Sequence, residues 1–171
     1  EEPIDHTIGF SNRDAAAEMT RALIARGYRN IAFIGEADDA WTRGAARRAG
    51  WRLAMEEAGL SAKRFSMSGK PPISIEDGAS TVTKLLERFP DTDCLFCVSD
   101  LPAFGALSTL QAAGRRVPHD IGVAGFGNFE VSRFANPALS TVTVDPKRIG
   151  EATGLLLADL LSESNGDPSV S

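Results

Sequence analysis

Two arginines four residues apart, Arg43 and Arg47, carry the clearest chemical signal in this chain. That spacing is about one helical turn, so both guanidinium groups share one face. They open a helix pattern running from about Arg43 to Ala58 and closed by Gly59. A guanidinium fork holds a carboxylate with two parallel bonds, about 1.5–3 kcal/mol for a charge-assisted contact. The helix N-terminus adds its own partial positive charge, so the pair predicts a site for an anion. Arg48 and Arg52 share a different face and read as a solvated charged surface. Ser99-Asp100 is the second candidate, placed after the apolar run Cys94–Val98 and before Leu101-Pro102. Either residue is suited to cap the next helix, and Asp100 stands equally well at the border of a cleft.

Other motifs carry less. Cys94-x-x-Cys97 has the spacing of a redox or zinc half-site. On a strand, positions i and i+3 point to opposite faces, so both sulfurs are expected in the core. His6 and His119 lack a cysteine partner or a nucleophile setting, which leaves hydrolytic or metal chemistry without its parts. Gly122-x-x-Gly125-x-Gly127 has its glycines in the wrong order for a dinucleotide fingerprint. Gly127 instead predicts a sharp turn at a strand end. No catalytic residue, metal or cofactor is expected.

The elements that must position these residues follow from periodicity and punctuation. Helices are expected over 12–26, 43–58, 75–89, 101–113 and from Pro146 to about Leu161, with strands over 30–35, 64–68, 93–98, 121–126 and 139–144. Apolar strands separated by helices mean βαβ units, hence an α/β fold with a parallel sheet flanked by helices. Ligands of such sheets sit beyond the carboxyl ends of the strands, here Gly35-Glu36, Ser99-Asp100, Gly127-Asn128 and Asp145.

A chain of 171 residues with 43% hydrophobic and 24% charged residues makes one ordinary globular domain. Its net charge of −5 and lack of a basic tract disfavour nucleic-acid binding by this piece alone. It has no apolar run long enough for a membrane span, and the stretch Glu1–Asp5 does not resemble a signal peptide. With two cysteines and no disulfide framework, the expected location is the reducing cytoplasm.

Five stretches, in order along the chain, resemble the lac-repressor-like (LacI/GalR) transcription regulators, specifically their type I periplasmic-binding-protein-like effector domain. They are Leu23–Gly35 (LIARGYRNIAFIG), Arg47–Trp51 (RRAGW), Phe96–Ala106 (FCVSDLPAFGA), Val117–Phe126 (VPHDIGVAGF) and Pro137–Val142 (PALSTV). Gly9-Phe10-Ser11-Asn12 looks like the gluconate-responsive branch. The resemblance implies a C-terminal effector-binding subdomain over 4–135, a crossover strand and helix over 136–161 belonging to a missing N-terminal subdomain, and a flexible tail over 162–171. It also implies a missing helix-turn-helix, through which a homodimeric full-length protein would reach operator DNA.

By position, the resemblance implies that Arg47 grips the effector, with Arg43 one turn earlier and Ser99 and Asp100 as the polar pair at the central strand's end. Relatives usually carry Asp where this chain has Gly127, leaving Asn128 as the nearest polar substitute. Relatives often stack an aromatic where this chain has Ile73. These departures suit a linear sugar acid, gluconate-like, rather than a stacked ring. The expected ligand-binding set is therefore Arg43, Arg47, Ser99, Asp100 and Asn128. A solute-binding protein of a sugar transporter is the alternative reading, and a small α/β enzyme a third.

Overall fold

A computed structural model describes His6, residues 8–36 and residues 43–164. The chain divides into two compact units, Ser11–Thr143 and the combination of Glu1–Phe10 with Val144–Ser171. The larger unit runs α1 (Asn12–Ala25), β1 (Ile31–Gly35), α2 (Arg43–Glu57), β2 (Phe65–Met67), α3 (Ile75–Arg88), β3 (Cys94–Cys97), α4 (Asp100–Ala112), β4 (Gly122–Gly127), α5 (Glu130–Phe134) and β5 (Ser140–Thr143).

The strands form one sheet in the order β2-β1-β3-β4-β5, and every neighbouring pair is parallel. β1 and β3 are buried throughout, as strands covered on both faces must be. The phenylalanines Phe33 and Phe96 meet edge-on at 5.5 Å, and Phe33 lies 5.7 Å from Trp51 of α2. On the other face Val82 and Leu85 of α3 and Ala103, Ala106, Leu107 and Leu110 of α4 close over Ile34, Leu95 and Cys97. Cys94 lies instead beside Tyr28 and Gly122. The two thiols thus sit on opposite faces, both buried and both free, as the strand periodicity predicts.

Local chemistry explains the boundaries. Ser11 caps α1 by accepting from the Asp14 N–H at 3.1 Å. Ser74 and Asp77 form a reciprocal capping box at α3. Gly27, Gly59 and Gly114 end their helices with positive φ. The sequence misses α5, which at five residues is too short to show a period. Of the two residues suited to cap α4, Ser99 holds the N-cap position and makes no side-chain cap bond.

β5, grouped with the crossover on sequence, pairs with β4 in this sheet from Ala124↔Ser140 to Gly127↔Thr143. In the second unit, α6 (Pro146–Ser164) continues past the expected end at Leu161. None of its residues from Pro146 to Ser162 is buried, and Leu155, Leu157 and Leu161 are exposed. The remainder of the expected tail, 165–171, lies outside the described residues, as does the start of the expected C-terminal effector-binding subdomain at Ile4 and Asp5.

Candidate functional site

The strand order reverses direction at β1, whose neighbours β2 and β3 lie on opposite sides. Chain segments leaving the carboxyl ends of β1 and β3 must diverge there, opening a crevice where α/β sheets take their ligands. A cleft of about 470 Å³ lies at this edge. Glu36 reaches it from the end of β1, Arg43 and Arg47 from α2, Pro71, Pro72 and Ile73 from the β2–α3 loop, Val98, Ser99 and Leu101 from the β3–α4 junction, and Phe129 from the end of β4.

Arg47 is the residue most tightly built into this cleft. Its Nε donates to Asn12 Oδ1 and its Nη1 to the Val98 carbonyl, both at 2.8 Å. The guanidinium carbon sits 3.8 Å from the centroid of the buried Phe126 ring, within the range of a cation–π contact. The side chain is therefore tied to α1, to the β3–α4 junction and to β4 while lining the cavity. Burial pushes its pKa down to about 10, helped by neighbouring Arg43 and partly offset by Glu36 and Asp100. It stays charged at neutral pH.

Arg43 is exposed at the first position of α2. The Glu36 carboxylate lies against Gly44 in the same first turn, where a side chain at 44 would collide with it. A carboxylate there is favoured by the helix N-terminus. The lining thus includes two cations and one anion. Ser99 adds a half-buried hydroxyl that caps nothing. The rest of the lining is apolar, from Pro71, Pro72, Ile73, Val98, Leu101 and Phe129. A mostly apolar cavity with a few convergent polar groups is the usual form of a small-molecule site.

Of the five residues expected from sequence, Arg43, Arg47 and Ser99 come together in this cleft. Asp100 is fully buried. Its Oδ2 accepts the Phe129 N–H and its Oδ1 accepts the Thr141 hydroxyl, both at 2.6 Å. Asn128 takes the left-handed conformation at φ 54° and donates its backbone N–H to Thr141 Oγ1 at 3.1 Å. Neither Asp100 nor Asn128 is among the residues lining the cavity. Sequence reasoning did not select Glu36, Pro71, Pro72, Leu101 or Phe129. The strand-end rule had pointed to Glu36, but nothing local marks the other four.

No group of three or more His, Cys, Asp or Glu converges among the described residues. No helix among them is long and apolar enough to cross a membrane.

Residues 20–171 match the family described as periplasmic binding protein-like domain. The chain is 33% identical over 162 residues to the HTH-type transcriptional regulator GntR of Escherichia coli K12, covering 94% of this chain and 48% of that protein. The crystal structure of a LacI family transcriptional regulator from Silicibacter pomeroyi superposes with a TM-score of 0.90 at 59% identity, covering 94% of this chain and 59% of that one. The complex of the transcriptional regulator CelR with cellobiose gives a TM-score of 0.78 at 32% identity, over 93% of this chain and 48% of that one. The chain spans about half the length of the curated relatives it matches.

Proposed function

We propose, from the premise that this chain belongs to the periplasmic-binding-protein-like domain family as LacI-family regulators carry it, that it is the effector-sensing part of such a regulator. The effector is a small sugar acid of the gluconate class. The observation that carries this reading is the Arg47 guanidinium, pinned by Asn12, Val98 and Phe126 at the wall of a strand-end cleft. Arg43 stands one turn earlier at the same wall.

The chemistry of the cleft supports an anionic polyol. The ligand's carboxylate sits between Arg43 and Arg47, where a charge-assisted fork is strongest. Its hydroxyl groups meet the Ser99 hydroxyl and the Glu36 carboxylate, an acceptor suited to O–H donors. Its carbon chain lies toward the Ile73 and Leu101 side. The cellobiose complex of CelR supports a carbohydrate ligand in this fold, and the identity to GntR supports the same class of protein. A regulator rather than an enzyme is the reading these relatives favour.

In the full-length protein a first subdomain packs on α6 and closes over the cleft, and a helix-turn-helix carries the signal to operator DNA in a cytoplasmic homodimer. The exposed leucines of α6 support that arrangement. Ligand-driven closure changes operator affinity only through contacts that differ between the open and closed states, about 1–3 kcal/mol in typical couplings. The test is a calorimetric titration of gluconate and of neutral glucitol into the protein. Binding of gluconate alone supports the reading, and equal binding of both removes the carboxylate from it.

A further inference from the structure

Phe129 is a large aromatic left 46% exposed at the rim of a ligand-sized cleft. Among the described residues that line the cavity it is the one aromatic. Its backbone is fastened on both sides. The N–H donates to the buried Asp100 carboxylate at 2.6 Å. The carbonyl accepts the Ser132 N–H at 2.9 Å and the Ser132 hydroxyl at 2.7 Å. The ring itself lies on Gly127, where a Cβ would approach its Cε1 to 2.7 Å and its Cδ1 to 3.0 Å. Gly127 has φ +124°, a conformation other residues rarely adopt. The absence of a side chain at 127 therefore does two things: it permits the turn, and it leaves room for the ring beside the site.

The fastened backbone and the contact with Gly127 set the ring at the rim as an apolar surface. Aromatic faces favour contact with weakly positive C–H edges and disfavour a naked anion. Arg47 and Arg43 supply the anion contact at the same cavity. We propose that Phe129 is a specificity-determining residue, its ring covering the C–H face of a bound sugar acid whose carboxylate is held by the arginines. The site then discriminates by shape. A compact oxyanion engages the arginines alone, whereas a chain of several carbons gains the Phe129 contact as well. This inference rests on the sugar-acid reading above and adds the residue that separates a sugar acid from other anions.

Saturation-transfer NMR on this chain tests it, with gluconate as the probe, sulfate as the compact anion and glucitol as the uncharged polyol. Irradiation of aromatic protons is expected to reach the gluconate C–H protons in the wild type. In Phe129→Leu, which keeps an apolar side chain, that transfer falls relative to transfer from aliphatic irradiation, and gluconate binds roughly two- to tenfold more weakly. Sulfate affinity, read by competition, stays unchanged in Phe129→Leu and falls in Arg47→Ala. Melting curves of each variant separate loss of the contact from loss of the fold, and Phe129→Tyr, which retains a ring, is expected to restore aromatic transfer. Undiminished aromatic transfer and unchanged gluconate affinity in Phe129→Leu overturn the role of Phe129 while leaving the sugar-acid reading standing. Failure of gluconate to bind the wild type at all overturns both.

Discussion

The Arg47 guanidinium lies 3.8 Å above the ring of Phe126, a residue of β4, while its own helix follows β1. One side chain thus spans the sheet edge from α2 across β3 to β4. Its fork is pre-aimed before any ligand arrives, so little rotamer entropy remains to be lost on binding. Arg47→Lys is expected to keep the charge but lose the planar fork and the stacking. It should lower gluconate affinity by about tenfold, equivalent to one charge-assisted bond, and reduce stability by about 1–2 kcal/mol. Calorimetry and denaturant unfolding measure the two effects separately.

The buried Asp100 carboxylate ties the start of α4 to the β4–α5 junction and to β5 through Phe129 and Thr141. Asp100→Ala leaves the Phe129 N–H and the Thr141 hydroxyl without that acceptor. The expected loss is about 2–4 kcal/mol in urea unfolding. Thr141→Val removes one arm only and should cost less. A double-mutant cycle is expected to show coupling between the two positions, and strict additivity would argue against the shared bond.

Much of the fold was legible because its signals are local. Gly27, Gly59 and Gly114 stand where left-handed backbone ends a helix, and apolar runs such as Cys94–Cys97 match strands covered on both faces. The α5 helix was not legible, since Glu130–Phe134 is too short for a period. The site divides in the same way. Arg43 and Arg47 were visible from spacing within one helix. The inward turn of Asp100 depends on partners 29 and 41 residues away, and the ring of Phe129 reaches the cleft only because the sheet brings the end of β4 beside that of β3. Pairings of that separation leave no local trace.

Both thiols are expected to be inert in the folded protein. Burial pushes Cys94 and Cys97 well above the usual thiol range, reinforced by Asp93 at Cys94 and by Asp100 at Cys97. Reaction with a thiol-specific reagent requires the thiolate and access. Labelling should therefore be slow in buffer and should reach both cysteines rapidly in denaturant. Fast labelling of either one in buffer would contradict the packing of β3.

The turn before β4 makes a pH prediction. Hydrogen bonds from the Arg116 side chain and backbone hold the Asp120 carboxylate at about 2, below its ordinary 3.8. A carboxylate depressed in the folded state contributes stability that is fully present above 3.8 and is lost as pH falls toward 2. Following the Asp120 carboxyl carbon by NMR should give a midpoint near 2, and Arg116→Ala should return it toward 3.8. An Asp120 midpoint near 3.8 in the wild type would show that the pair does not form.

The leucines of α6 predict association. Leu155 is 70% exposed and Leu161 65%, an apolar surface that water disfavours. Sedimentation of this chain should show self-association that Leu155→Glu with Leu161→Glu reduces. Monomeric wild-type protein at every concentration tested would remove the support these leucines lend to a packed α6.

The decisive measurement is the heat of gluconate binding to the wild type and to Arg47→Ala, with unfolding curves confirming that both are folded. Anchoring of the ligand carboxylate by Arg47 predicts binding to the wild type and a loss of at least about tenfold in the variant. Equal affinities in two folded proteins would contradict it.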